Sequence, residues 1–354
     1  MSWQGIVGHD DVVEQFRRRL AAGRVTGTFL FVGPAGIGKR TFALKLAQAL
    51  FCQGGTNESL DPCGVCEDCR LSLAGNHPDL VRVSLPKDKN ILSIDLMIGP
   101  DDNRHREGLI HDIGLKPFQG GRRVAIIDDA DHFNSESANA ILKTLEEPPP
   151  KSVMILLGTS PDRQLQTIRS RSQVVRFQPL PSEELAPLIL SQKLASDESA
   201  AMRLAAASGG SLEAARRWAE PAWAEFRRLL FEALSTREWE GARFAKLLLA
   251  FADDAGKEAP ARRERLRGAI GLTVEYFRQV ARTMVGGPTA EDPELQQAAE
   301  QTVRRQPLDA EVCAAVIERC LAAIDHVDRN VHPTTTCDSL GDDVERLLSS
   351  SAAA

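Results

Sequence analysis

The first half of the chain alternates short apolar runs with stretches of helical periodicity. Five brief apolar runs predict buried strands, at residues 28–32, 80–83, 124–128, 153–157 and 174–177. Val13, Phe16 and Leu20 recur at helical spacing, which predicts a helix at about residues 11–22. Strands joined by long crossovers pair in parallel, with helices on both faces. The pattern therefore predicts an α/β domain that binds ligands beyond the C-terminal ends of its strands.

The second half of the chain predicts helices alone. No apolar run that predicts a strand occurs after residue 177, and Pro179 and Pro181 mark the change to an alanine- and leucine-rich sequence. Helical patterns occur at about residues 182–194, 197–207, 211–219, 222–234, 238–253, 259–285, 291–304 and 308–329. The fold class is therefore α/β followed by all-α. We predict domains at 1–178, 179–220 and 221–340, and a tail at 341–354 whose last six residues are disordered.

Composition and charge narrow the class of protein. A chain of 354 residues is too long for one domain with a single core, so two or three domains are expected. Of its residues 43% are hydrophobic, as in globular proteins. No apolar run is long enough to span a bilayer, and the first five residues have no signal-peptide pattern, so we expect a cytoplasmic protein with no membrane partner. The net charge of −6 argues against binding nucleic acid by bulk electrostatics alone.

A glycine-rich loop directly after the first predicted strand has the spacing of a phosphate-binding loop. Four residues separate Gly33 from Gly38, which is followed by Lys39. In such a loop the backbone N–H groups wrap a phosphate, and the lysine ammonium reaches the β and γ oxygens. Together with Gly36, these residues form the candidate nucleotide site. The position after the lysine should carry a hydroxyl for Mg²⁺ but is Arg40, and the nearest hydroxyl belongs to Thr41.

The third predicted strand ends in two carboxylates. Asp128 is the position that helps to hold Mg²⁺ in nucleoside triphosphatases of this design. Asp129 stands where the base that polarises the attacking water is usually a glutamate, and it is one methylene shorter. Because catalysis depends on placement to a fraction of an ångström, we expect Asp129 to be a poor base. The alternative is a buried strand that ends in a solvated turn.

Four cysteines lie within eighteen residues, at Cys52, Cys63, Cys66 and Cys69. They offer the four thiolates that tetrahedral zinc requires, and the Cys-x2-Cys steps are tight enough to clamp one ion. An iron-sulfur cluster and unligated thiols are the alternatives. Four protein ligands leave no open position, so the sequence predicts a structural Zn²⁺ site within residues 52–69.

Two further groups of charged residues attract attention. Arg171 lies in a Ser-Arg-Ser segment between two predicted strands, where it is either solvated or an arginine finger for a neighbouring subunit's γ-phosphate. Glu146 and Glu147 end a short predicted helix, where the helix dipole disfavours negative charge. The sequence assigns this acidic pair no role.

Assembled in order, these motifs resemble the clamp-loader branch of the AAA+ ATPases. The resemblance runs almost continuously from Ile6 to Phe177 and includes the glycine loop, the cysteines, residues 126–131 and residues 139–149. It implies an AAA+ parallel-sheet P-loop domain with a zinc-binding insert, a small helical lid domain and a C-terminal helical collar domain. It also implies that Arg171 acts in trans on ATP held by a neighbouring motor subunit, and that Thr159 is a sensor of the γ-phosphate.

The chain departs from the family's ATPase pattern at three places. Arg40, Asp129 and Glu213, the last standing where a lid arginine is usual, each alter a different part of one site. We therefore predict a subunit that hydrolyses little or no ATP, with bound ATP and Mg²⁺ left open. The implied partners are clamp-loader subunits of the gamma/tau and delta types and, through the complex, a sliding clamp and primed DNA.

Two rival functions remain at this level. The first is a motor ATPase of the gamma/tau type that uses Lys39, Asp128 and Asp129. The second is a zinc-dependent DNA-binding regulator, which the negative net charge and the lack of interleaved aromatic and basic residues disfavour.

Overall fold

The structure is a computed structural model that describes residues 3–23, 25–54, 60–86, 89–118, 121–236, 239–306 and 308–352. Residues 55–59 of the predicted cysteine insert, residue 238 of a predicted helix and residues 353–354 of the predicted tail lie outside this description. The chain divides into two compact units, one comprising Met1–Ser191 and Gly209–Ala214 and the other Gln192–Ser208 and Ala215–Ala354. The two units are described separately. None of the described helices combines the length and apolar character needed to cross a bilayer.

The first unit contains the predicted parallel sheet. Its strands are β1 (Gly27–Val32), β2 (Leu80–Val83), β3 (Arg123–Ile127), β4 (Ser152–Gly158) and β5 (Gln173–Arg176). All pairings are parallel, and the strand order is β2-β3-β4-β1-β5. The five strands predicted from the apolar runs are therefore confirmed. Because neighbouring strands are parallel, long crossovers connect successive strands, as the sequence pattern requires, and β1 lies between β4 and β5.

Helices cover both faces of this sheet. The helices of this unit are α1 (Asp10–Ala21), α2 (Lys39–Phe51), α3 (Glu67–Leu73), α4 (Ile94–Ile98), α5 (Leu109–Gly114), α6 (Ser135–Glu146), α7 (Gln166–Arg169) and α8 (Ser182–Ser191), of which all but α3 and α8 contribute to the apolar clusters on the sheet. Side chains alternate across β1, so Phe29 and Phe31 join one apolar cluster while Leu30 and Val32 join the other. The continuous apolar run of β1 is thus explained by burial on both faces.

The second half of the chain is helical, as predicted. Its helices are α9 (Glu198–Ala207), α10 (Leu212–Trp218), α11 (Pro221–Leu234), α12 (Gly241–Asp253), α13 (Ala259–Met284), α14 (Pro293–Arg305), α15 (Ala310–Asp328) and α16 (Pro333–Ala352). One apolar cluster unites α11 to α16, with Tyr276 fully buried and its hydroxyl bonded to Thr302. The α/β followed by all-α class is confirmed, while the finer boundaries between lid and collar stay a prediction.

The C-terminal region differs from the predicted tail. Residues 341–352 continue α16, and Leu340, Val344 and Leu348 are buried at helical spacing in the same apolar cluster. This one-sided burial gives the segment a reason to be helical that its serine- and alanine-rich end conceals. The predicted disorder from residue 349 therefore does not extend over the described residues.

Candidate functional site

The glycine-rich loop lies at the C-terminal edge of the sheet, between the end of β1 and the start of α2. Gly36 has φ 74° and Gly38 has φ 101°, both in the left-handed region that favours glycine. Helix α2 begins directly at Lys39. This strand, loop and helix geometry places the N-terminus of α2 at the edge where parallel sheets bind ligands, and its first N–H groups have no partner within the helix.

The Lys39 ammonium is directed into the loop itself. Its Nζ donates hydrogen bonds to the carbonyl oxygens of Gly33 and Pro34, each at 2.6 Å. Burial lowers the pKa of Lys39, whereas the nearby carboxylates of Asp131 and Glu213 act to raise it. The ammonium group is therefore hydrogen-bonded by its own loop and lies in the field of two carboxylates.

Arg40 pairs with the carboxylate that was predicted to hold magnesium. Its Nε lies 3.2 Å from Oδ2 of Asp128, whose side chain is only 8% exposed. Burial raises the pKa of Asp128, and the Arg40 guanidinium opposes this rise. Thr41 is exposed on α2. The usual magnesium site of a P-loop needs a hydroxyl beside this carboxylate, so the residues present do not fit Mg²⁺ in that arrangement.

Asp129 occupies a left-handed backbone position immediately after β3. Its φ is 58°, a conformation that aspartate tolerates better than most residues, and its side chain is exposed. The carboxylate accepts a long hydrogen bond, 3.4 Å, from the N–H of Leu85. This contact directs the candidate base toward the segment that follows β2.

Asp131 is a residue of this edge that the sequence analysis did not single out. Its carboxylate accepts hydrogen bonds from the N–H of Thr159 at 2.8 Å and from the Thr159 hydroxyl at 2.6 Å. The side-chain amide of Gln164 also donates to it. The hydroxyl of the predicted sensor is thus occupied by a carboxylate from the same chain. The only sequence signal was a third acidic residue in the Asp-Asp-Ala-Asp turn.

The segment from Ser211 to Glu213 lies against the glycine loop. The N–H of Leu212 donates to the carbonyl oxygen of Gly36 at 3.2 Å. A Cβ atom at Gly36 would lie 2.4 Å from Cβ of Glu213 and 2.4 Å from Oγ of Ser211. The acidic side chain that replaces the expected lid arginine therefore packs directly on the loop and adds negative charge near Lys39.

Arg171 lies at the opposite edge of the sheet, in the turn between α7 and β5. Because β5 runs parallel to β1, the residue before β5 is at the N-terminal edge, away from the glycine loop. Its side chain is 31% exposed and its Nε donates to Oε2 of Glu146 at 3.3 Å. Nη1 donates to the carbonyl oxygen of Thr167 and to the Ser170 hydroxyl, at 3.1 and 3.3 Å.

The four clustered cysteines converge on one point. All four Sγ atoms lie within 4.8 Å of one another, and two of the Sγ pairs are 4.0 Å apart. A single tetrahedral ion with metal–sulfur bonds of about 2.3 Å requires sulfur pairs about 3.8 Å apart, so the cluster fits one such ion. Cys52, Cys63, Cys66 and Cys69 would hold it.

Backbone hydrogen bonds prepare these sulfurs for a metal. The N–H of Cys66 donates to Sγ of Cys63 and the N–H of Cys69 donates to Sγ of Cys66, at 3.3 and 3.4 Å. Backbone N–H groups, chiefly those of Val65 and Cys66, lower the pKa of Cys63 to about 6. Burial raises the pKa of Cys69 to about 12. A bound cation would have to offset that burial, since thiolates are the ligands.

The fold and the loop define the class of protein: a P-loop domain of the AAA+ type, followed by helices. Residues 8–181 match the model of the family described as "DNA polymerase III, delta subunit". The chain is similar to DNA polymerase III clamp-loader subunits, among them delta' subunits of Pseudomonas aeruginosa and Bacillus subtilis.

Curated relatives include both kinds of clamp-loader subunit. The chain is 34% identical over 190 residues to DNA polymerase III subunit delta' of Pseudomonas aeruginosa, covering 53% of this chain and 54% of that protein. It is 35% identical over 191 residues to subunit gamma/tau of Mycobacterium tuberculosis, covering 53% of this chain and 30% of that protein. The chain thus spans about half the length, or less, of these relatives.

Among solved structures, a gamma subunit-related protein of DNA polymerase III from Thermotoga maritima is similar at 18% identity. The comparison covers 95% of this chain and 99% of that chain, with a TM-score of 0.38.

Proposed function

We propose that the chain is a delta-prime subunit of a clamp loader that hydrolyses little or no ATP itself and completes the ATPase site of a neighbouring subunit through Arg171. The observation that carries this proposal is the pairing of Asp128 with Arg40 at 3.2 Å, by which the carboxylate predicted to hold Mg²⁺ is paired with a cation of its own chain. The contact of Glu213 with Gly36 supports it, because a carboxylate over the loop repels a polyphosphate.

The function of such a subunit lies in the complex. Gamma/tau and delta subunits are the proposed partners, and the assembled complex would open the sliding clamp and load it on primed DNA during replication. Arg171 would stabilise the charge that develops on the transferred phosphoryl group in the neighbour's site. The partly exposed side chain of Arg171, at the edge of the sheet opposite the chain's own loop, supports this role.

The decisive experiment compares two substitutions in the assembled loader. Turnover of ATP is measured with Arg171→Ala and Lys39→Ala chains, and with the purified chain alone. We expect Arg171→Ala to abolish the turnover of one site of the assembly, since an arginine finger contributes about a thousandfold or more. We expect Lys39→Ala to leave the rate nearly unchanged, and the isolated chain to show no turnover.

The rival function is a motor ATPase of the gamma/tau type, which the 35% identity to such a subunit favours. In that case Lys39→Ala would be the damaging change and the isolated chain would hydrolyse ATP. The retained cradle of Gly33, Gly36, Gly38 and Lys39 is compatible with phosphate binding in either case.

We also propose that the cysteine cluster holds a structural Zn²⁺. Tetrahedral sets of four sulfurs select zinc or iron, and four protein ligands leave no position for substrate. Elemental analysis of protein purified without added zinc should give about one zinc atom per chain, the capacity of one site. Iron in place of zinc, or a chain without metal, contradicts this assignment.

A further inference from the structure

The guanidinium of Arg171 is held by its own chain on two sides. Nε donates to Glu146, and Nη1 donates to Thr167 and Ser170. Within the part of the chain that the structure describes, Nη2 donates to no group. The planar fork is therefore fixed in orientation while one nitrogen remains for an acceptor outside the chain.

Both ends of this arrangement rest on rigid elements. Glu146 is the last residue of α6 and follows the buried Leu145, whose carbonyl oxygen accepts a 3.0 Å hydrogen bond from the buried hydroxyl of Thr28 on β1. The N–H of Arg171 donates to the carbonyl oxygen of Ile168, which is also fully buried. Glu146 thus joins the end of one packed helix to the turn that carries the arginine.

The acidic residue is unfavourable where it stands unless it has a partner. The C-terminal end of a helix carries partial negative charge, which repels a carboxylate in the last turn. In the described part of the chain, Arg171 is the one cation paired with Glu146, whereas the adjacent and exposed Glu147 has no ion pair. The side chain of Arg171 is 31% exposed and that of Glu146 is 61% exposed, so the pair contributes little to folding stability.

We propose that Glu146 is a positioning residue that orients the Arg171 guanidinium toward the phosphate of a nucleotide held by a neighbouring subunit. This inference rests on the proposed role of Arg171 as a finger. By binding Nε, the carboxylate restrains the plane of the fork and leaves Nη2 without a partner in the described part of the chain, so less side-chain entropy is lost when the fork binds an anion.

The test uses full-length chains in the assembled loader. The rate contributed by Arg171 is defined as the difference between the wild-type assembly and the Arg171→Ala assembly. Steady-state kcat and KM for ATP are then measured with Glu146→Ala, Glu146→Gln and, as the matched control on the same helix end, Glu147→Ala. The melting temperature of each free chain shows that it is folded.

Glu146→Ala should remove at least about half of the rate that Arg171 contributes, because a misplaced group loses much of its effect, and it should lower kcat without changing KM. Glu146→Gln keeps an oxygen acceptor for Nε and should retain most of that rate. Glu147→Ala should retain all of it. The melting temperatures should not differ.

The outcomes separate this inference from the function on which it rests. If Arg171→Ala leaves the assembly's rate unchanged, the finger itself is wrong. If Arg171→Ala lowers the rate while Glu146→Ala does not, or while both Glu146 variants raise it, Arg171 is a finger and Glu146 is not its positioning residue. A loss of rate with Glu147→Ala equal to that of Glu146→Ala also overturns the inference.

Discussion

Two regions of the sheet unit present cations in opposite ways. At the glycine loop, Lys39 is bonded to the carbonyl oxygens of its own loop and Arg40 to Asp128. At the other edge of the sheet, Arg171 is held through Nε and Nη1, and Nη2 is left without a partner among the described residues. The first region pairs its positive charge within the chain, whereas the second has a guanidinium nitrogen that no described residue pairs.

The difference shows that a chain can retain the sequence motif of a phosphate-binding loop while the residues around the loop no longer match the usual site. The glycine loop retains the spacing, the left-handed glycines and the helix start of a phosphate site. Its neighbours replace the hydroxyl and the lid arginine by Arg40 and Glu213, so the charges around the loop cancel among themselves. The Arg171 turn has no glycine motif, yet it carries the guanidinium that we propose binds an anion from another chain.

The largest effect that sharpens this comparison is steric. Gly36→Ala should destabilise the sheet unit by about 3 kcal/mol, since it combines an unfavourable φ with close contacts to Ser211 and Glu213. Gly75 has the same φ of 74°, but a Cβ atom added there would have no neighbour closer than 3.7 Å. Gly75→Ala should therefore cost about 1 kcal/mol. Hydrogen exchange of the amides of β1 measures both. Equal costs would mean that the 211–213 segment does not press on the loop.

The next largest effect is expected at the Arg171 turn. Arg171→Lys should lower the rate that Arg171 contributes to the assembled loader about 30-fold, because lysine keeps the charge but lacks the planar fork. Arg169→Lys is the matched control, an exposed neighbour paired with Asp162. Initial rates at saturating ATP give the comparison. An unchanged rate with Arg171→Lys would show that only the positive charge matters there.

A smaller effect is expected at the glycine loop, where Arg40 pairs with Asp128. Arg40→Ala should destabilise the sheet unit by about 1 kcal/mol at pH 7, because it leaves the buried Asp128 carboxylate without its partner. The same change in an Asp128→Asn chain should cost nothing. Arg18→Ala, which removes an exposed pair with Glu14, is the control and should cost a few tenths of a kcal/mol or about none. An equal cost of Arg40→Ala in both backgrounds would show that Arg40 does not stabilise the fold through Asp128.

Much of the fold could be predicted from the sequence because its signals are local. The strands follow from apolar runs buried on both faces, and most helices follow from periodic apolar positions. Helix α16 escaped prediction because Leu340, Val344 and Leu348 are sparse apolar residues whose partners lie on other helices. A pattern of this kind gains meaning only through long-range packing.

The candidate site was predictable in its residues and less so in its contacts. Spacing identified the glycine loop and the cysteines, since each motif places its groups within a short segment, whereas the role predicted for Arg171 came from the family resemblance. The pairing of Arg40 with Asp128, the binding of Thr159 by Asp131 and the contact of Glu213 with Gly36 join distant segments. Which acidic residue meets which donor depends on the packed fold, and the sequence holds no local signal for it.

The smallest effect is the pH dependence of the Asp128 carboxylate. Burial is the largest influence on it and raises its pKa in the folded chain above the ordinary value of 3.8, against the opposing effect of Arg40. Between 3.8 and the raised value, the folded chain keeps a proton that the unfolded chain releases, so stability falls as pH rises through this window.

Asp128→Asn removes this titration. The stability of the Asp128→Asn chain relative to wild type should therefore increase as pH rises from 3.8 through the raised pKa of Asp128 and then level off. In an Arg40→Ala chain the window should extend to higher pH, because the opposing cation is gone. Hydrogen exchange of β1 amides, corrected for intrinsic rates at each pH, measures the difference. A relative stability that decreases with pH would mean that Arg40 outweighs burial, and the loop would then be stabilised by its internal ion pair rather than merely neutralised by it.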